Sequence, residues 1–357
     1  MRSFAVCALV SGGCIVLPTD VPLDRCDRGP PLDAAPAVAR PEVEDCLAGV
    51  DALLAASPAD AFVAVQGEQL VYAWGDVHLP SNTASVRKSV VSVLFGVAAD
   101  RGLVDLDATL ESLGVDDAAS PLTAEERTAT VRDLLQSRSG IYIEPLGEPE
   151  SWAERRPARG THAPGEAWFY NNWDFNALGT VFVQATGWSL EDAIAAWLAD
   201  PMGFETYCPT HVTYQAGGET TEHPMYRIYM SAMDLARLGS LIVEGGRWGG
   251  EAVVSEAWME ESTRRVSDVR ALVPDSPYAS YGYLWWIDDE GEVWAEGSGG
   301  QYIHVDRAER LVTVTRNNTG SSIPGRLWYA AAQTEDGIAE AARDAHAEVA
   351  ACLEGAR

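Results

Sequence analysis

The stretch Thr83-Ala-Ser-Val-Arg-Lys-Ser-Val-Val-Ser92 contains the single lysine of a 357-residue chain that otherwise carries 24 arginines. Ser85 and Lys88 open a run over 85–100 that is apolar on nearly every face, with Val86, Val90, Val91, Val93, Leu94 and Val97. A helix apolar all round is a buried one, and a three-residue spacing sets both side chains on one of its faces. Burial disfavours the ammonium, and the positive end of the helix dipole adds to the effect, so the lysine pKa is expected to fall. A neutral amine in reach of a hydroxyl can take its proton, and serine is a poor nucleophile until a base does so. Arginine cannot replace it, because it stays protonated at any usable pH. Alone, S-x-x-K is a weak motif, and a single lysine is also what a strong arginine bias would leave behind.

The second element is His162-Ala-Pro-Gly-Glu-Ala-Trp-Phe-Tyr-Asn-Asn-Trp-Asp174. Ser85-x-x-Lys88 followed by Tyr170-x-Asn172 resembles the serine β-lactamase and penicillin-binding-protein superfamily. The chain is most similar there to the class C β-lactamase-related hydrolases, which include esterases and amide hydrolases. Leu134-Leu-Gln-Ser-Arg-Ser-Gly140, Pro164-Gly165 and Ser231-Ala-Met-Asp-Leu-Ala-Arg237 resemble the same family, so the likeness spans roughly 41 to 345. It implies that Tyr170 shuttles a proton between nucleophile and leaving group. A phenol beside a cationic or proton-sharing Lys88 is expected to have a lowered pKa, favouring phenolate. Asn172 would orient Lys88 or hold a substrate carbonyl. Without the other motifs, Tyr170 would read as a core aromatic among Trp168, Phe169 and Trp173.

The third family element, a K-T-G strand triplet, is expected within Glu296-Gly-Ser-Gly-Gly-Gln301. It would align as Ser298-Gly299-Gly300, without the cation that engages a substrate carboxylate in β-lactamases and peptidoglycan enzymes. The glycines allow close backbone approach. The resemblance puts the oxyanion hole between the backbone N–H groups of Ser85 and Gln301. The implied activity is acyl-enzyme hydrolysis of a small-molecule ester or amide, with no cofactor and no metal. A β-lactamase or D-amino-acid peptidase is the alternative within the class. A non-catalytic exported binding protein that kept the fold is the alternative outside it. Trp285, Trp286, Trp294 and Tyr302 crowd the third element, and some aromatics should line an apolar pocket. His304 reads as a strand histidine.

A net charge of -28 argues against nucleic acid or an anionic membrane as partner. The cysteines (7, 14, 26, 46, 208 and 352) form no C-x-x-C pair, and the six histidines form no H-E-x-x-H, which argues against zinc. Arg2 followed by the apolar run Phe4–Val10 resembles a secretory signal over 1–25. Ser11-Gly12-Gly13-Cys14 resembles a lipoprotein processing site, which would put a lipid anchor on Cys14 of a periplasmic or cell-envelope protein.

Residues 26–40 read as a tether. Helical spacing follows Pro41, and a hairpin turns at Gln66–Glu68. Loop-rich sequence with helical pieces runs to about 230, notably 174–186 and 189–199, with 231–244 beyond. Strand patterns lie at 282–287, 292–296, 302–306 and 311–315, ahead of a final helix over about 333–354. The expected fold is α/β (α+β). An antiparallel sheet domain, 41–80 and 245–357, is flanked by N- and C-terminal helices and interrupted by a mostly helical domain, 81–244. The resemblance implies that the two terminal helices pack side by side, so that a disulfide could join Cys46 to Cys352. Two unpaired small hydrophobes are the alternative.

Overall fold

The computed structural model describes residues 26, 29–34, 41–317 and 335–355. The expected leader, with Cys7 and Cys14, lies outside them. Helix α1 (Pro41–Ala56) precedes strands β1 (Ala61–Gln66) and β2 (Gln69–Gly75), and a short β3 (Ser81–Asn82) leads into α2 (Arg87–Asp100). Then come α3 (Asn172–Thr186), β4 (Val212–Gln215), β5 (Met225–Met230) and α4 (Ala232–Val243). The C-terminal part holds β6 (Ser267–Asp268), β7 (Ser280–Tyr281), β8 (Trp286–Ile287), β9 (Val293–Gly297), β10 (Gln301–Asp306), β11 (Leu311–Arg316) and α5 (Glu335–Glu354).

The main sheet runs β2-β1-β11-β10-β9-β8-β7-β6, antiparallel throughout. Its centre joins the two ends of the chain: β1 pairs with β11 from Ala61 opposite Arg316 to Gln66 opposite Leu311. Ala61 to Val65 are all buried, because both faces of the sheet are covered. Helices α1 and α5 pack together on one face and α4 lies on the other. At Gly239 of α4 a Cβ would come within 2.5 Å of Val312 Cγ1 and 2.9 Å of Ile303 Cγ2, so glycine sets how closely that helix approaches the sheet.

The architecture is the expected one, with local differences. Only Trp286–Ile287 of 282–287 is strand. Leu284 has φ 65 and Gly282 N–H bonds Trp285 C=O at 2.8 Å, so this aromatic run is mostly a buried turn. Strands β4 and β5, not foreseen, form a small sheet with β3. The last helix of the expected helical segment, α4, docks on the main sheet. Residues 29–34 are not a tether: Leu70 N–H bonds Asp33 C=O at 2.8 Å, and Arg237 bonds Pro30 C=O at 2.9 Å.

Two disulfides fasten the termini. Cys46–Cys352 joins α1 to α5 with Cα atoms 5.7 Å apart. Cys26–Cys208, which spacing did not suggest, has Cα atoms 5.4 Å apart. Their sequence separations are 306 and 182 residues. In the chain-entropy model each bridge contributes about 5 kcal/mol. Peptide mapping without reductant should therefore recover both linked pairs. Cys352→Ala should lower the thermal midpoint by roughly 7 °C for a chain of 357 residues. An unchanged midpoint would show that the bridge does not carry this load.

Candidate active site

Ser85 is presented by a strained turn. Strand β3 pairs with β5, and Thr83 Oγ1–H and N–H both bond Ile228 C=O, at 2.8 and 3.0 Å. The next residue, Ala84, sits at φ 47, a left-handed conformation uncommon outside glycine, with its N–H on Asn82 Oδ1 at 2.9 Å. A single 3₁₀ turn, Ala84–Val86, then feeds α2. Ser85 thus stays half-buried at a cavity wall, while Lys88, one turn on, is 2% exposed.

Lys88 Nζ lies 2.8 Å from Ser85 Oγ and 2.7 Å from the Tyr170 hydroxyl. It also sits 4.3 and 4.4 Å from the ring centroids of Tyr170 and Phe175. Among the described residues no carboxylate bonds the amine. Burial holds its pKa well below the usual lysine range, and the Arg87 charge depresses it further. Arg87, which sequence reasoning passed over, is itself buried, bonds Ala84 C=O at 3.1 Å and lies 5.2 Å over the Tyr226 ring.

The stretch 134–140 holds Tyr170. Phe169 N–H bonds Ser137 C=O at 3.1 Å, Ser137 Oγ–H bonds Phe169 C=O at 2.5 Å, and Asn171 N–H bonds Ser137 Oγ at 2.9 Å. Asn171 Nδ2 ties the segment to Ile141 C=O and Asp174 at 2.7 and 2.8 Å. At Gly140, φ 71, a Cβ would meet His162 C=O at 2.6 Å, so glycine brings the Pro164–Gly165 loop in. Trp286 stacks on the Tyr170 ring at 5.2 Å and 21°, and Trp152 packs at 4.9 Å.

The expected phenolate is not favoured. Burial pushes the Tyr170 phenol up, against smaller lowering effects from Ser85 and Arg87. A lysine kept neutral cannot supply the charge that would stabilise a phenolate. Asn172 is 2% exposed with no partner for its Nδ2, and no hydrogen bond joins it to Lys88.

The third element is shifted from its expected register. At Gly297 a Cβ would lie 3.0 Å from Ser85 N and 2.6 Å from Thr83 C=O, so β9 itself meets the Ser85 turn. A cavity of about 610 Å³ is lined by Ser85, Tyr170, Glu296 and Ser298, but not by Gly299, Gly300 or Gln301. At Gly300 a Cβ would meet Ile338 of α5 at 2.6 Å, and the Gln301 amide bonds Gly299 C=O at 3.2 Å. Gly300 thus abuts α5, Gln301 Oε1 accepts Arg316 Nε–H, and neither lines the cavity at Ser85. Arg155 and Arg343 also line the cavity. Glu296 stands near Tyr278, whose phenol it holds up together with burial.

The sequence model of the Beta-lactamase family matches residues 50–335. The 6-aminohexanoate-dimer hydrolase of Paenarthrobacter ureafaciens is 25% identical over 317 residues, which cover 78% of this chain and 77% of that one. A solved structure from Bacillus anthracis, assigned as a 6-aminohexanoate-dimer hydrolase, superposes with a TM-score of 0.63 at 20% identity, covering 85% and 82% of the two chains. A family VIII carboxylesterase superposes with a TM-score of 0.59 at 16% identity, covering 88% and 98%. With the family model matched across most of its length and the antiparallel fold shared, the chain belongs to the beta-lactamase family of hydrolases.

Proposed function

We propose that the protein is a serine hydrolase that forms an acyl-enzyme on Ser85 and cleaves an ester or small amide. The observation that carries this reading is the position of Lys88 Nζ, 2.8 Å from Ser85 Oγ and 2.7 Å from the Tyr170 hydroxyl. As Ser85 Oγ bonds to the substrate carbonyl carbon, its proton passes to Lys88. Tyr170 donates its own proton to the departing alkoxide or amine and recovers one from Lys88. Water then attacks the acyl carbon, gives its proton to Lys88, and Ser85 Oγ is released as the hydroxyl. The backbone N–H groups of Ser85 and Ser298, the latter in place of Gln301, would hold the oxyanion.

The amidase and carboxylesterase relatives support an ester or amide substrate. Glu296, on the strand beside Ser85, works against a carboxylate held next to the attacked carbonyl, which disfavours the β-lactamase or D-amino-acid peptidase alternative. The two disulfides and the leader-like N-terminus support an exported protein.

A fluorophosphonate probe should label one residue, Ser85, and Ser85→Ala should abolish both labelling and turnover; labelling of another serine would refute the assignment. Lys88→Arg keeps the charge but cannot shed it, so kcat should fall about 10²–10⁴-fold in a protein that still melts normally. Near-parental kcat in that variant would exclude Lys88 as the base. In the parent, kcat/KM should rise with pH through the depressed Lys88 pKa, because the neutral amine is the active form. Short-chain p-nitrophenyl esters should be turned over faster than nitrocefin. Efficient nitrocefin hydrolysis would reverse the substrate assignment.

A further inference from the structure

A second cavity, of about 460 Å³, opens between the β9–β10 hairpin and α5, apart from Ser85. Five carboxylates line it (Asp288, Glu290, Glu292, Asp306 and Glu354) against one arginine, Arg343. At its wall, one ligand atom each from Asp288, Glu292 and His304 lies within 4.8 Å of the others. Glu292 Oε2 is 2.5 Å from His304 Nε2.

These groups are held in place. Asp288 Oδ1 accepts the N–H groups of Gly291 and Glu292 at 3.0 and 2.8 Å, and its Oδ2 accepts Trp294 Nε1–H at 2.8 Å. The His304 ring is sandwiched between Trp294, stacked at 3.5 Å and 14°, and His346 at 3.8 Å. An independent observation points to a missing ligand. His346, 5% exposed, lines the same cavity, and its Nε2 has no hydrogen-bond partner while its Nδ1 is 2.9 Å from Thr313 Oγ1. A buried polar atom without a partner is costly unless a water or an ion satisfies it.

We propose that Asp288, Glu292 and His304 form a binding site for a divalent transition cation of the Zn²⁺ type. One imidazole and two carboxylates are a donor set suited to such an ion, with bonds of about 2.0–2.2 Å. Ligand atoms around a tetrahedral ion stand about 3.3 Å apart at those bond lengths, so Glu292 and His304 need only part slightly while Asp288 closes in. Hydrogen-bonded carboxylates are the usual way of orienting a ligand. The fourth position would hold water. The three ligands do not line the Ser85 cavity, although the two cavities share Pro277 and Arg343.

The test uses untagged, full-length protein stripped with chelator and titrated with Zn²⁺ by calorimetry. The expected result is saturable uptake of one equivalent. Glu292→Gln, which changes a half-buried side chain, should weaken it at least 10-fold, as should His304→Ala. Should His304→Ala fail to fold, Co²⁺ added to the parent and to Glu292→Gln gives the same answer. Tetrahedral Co²⁺ absorption should appear in the parent and be lost in the variant. Absence of saturable uptake, or equal affinity in Glu292→Gln, would overturn the site.

Discussion

The arrangement depends on one electrostatic constraint: an amine enclosed by protein with a fixed cation beside it and no anion bonded to it. Lys88 touches a serine hydroxyl, a phenol and two aromatic rings, while Arg87 holds its charge in the next residue. A protonated Lys88 would meet poor solvation and like-charge repulsion together. The neutral amine meets neither, and it lies 2.8 Å from the Ser85 hydroxyl oxygen. The same enclosure pushes the Tyr170 phenol up, so burial favours the uncharged form of both Lys88 and Tyr170.

The rest of the fold keeps that arrangement in place. The β1–β11 pairing closes the sheet from both ends of the chain, and the disulfide between α1 and α5 locks the closure. On the buried side, Arg316 Nη1–H and Nη2–H bond Met230 C=O at 2.8 Å and Ser81 C=O at 3.1 Å. This ties the sheet to the β3–β5 pair that leads into the Ser85 turn. Ala84 is kept in its uncommon conformation by those neighbours, in line with the general tendency of strain to collect at reactive sites. Ser137 and Asn171 clamp the Tyr170 segment from the other side.

What could be read from the sequence was chemistry that residue type fixes. A serine and a lysine three apart on an apolar helix, followed by Tyr-x-Asn, pointed to one cluster, and Ser85, Lys88 and Tyr170 do meet. The terminal helices, the 61–75 hairpin and the strands over 293–316 carried clear periodicity. Strands β4 and β5 did not, because β5 is stabilised by partners such as Ser81, far away in sequence. Cys26–Cys208 was invisible, since pairing is not encoded in spacing. The third element was placed too far along the chain: the K-T-G match fell on the turn, whereas the strand end before it meets Ser85. The Tyr170 pKa was misjudged because burial of the phenol itself raises it more than Ser85 and Arg87 lower it. Asp288, Glu292 and His304 come together only when the β9–β10 hairpin closes.

Because Lys88 is the single lysine in the chain, its protonation can be read without mutation. Protein grown with ¹³Cε-lysine gives one side-chain resonance, and its shift against pH reports the amine directly. The account predicts a midpoint well below the ordinary lysine value of about 10.4. It also predicts that Arg87→Gln, which removes the neighbouring charge, moves the midpoint upward. A resonance titrating at about 10.4 in the folded protein would contradict it.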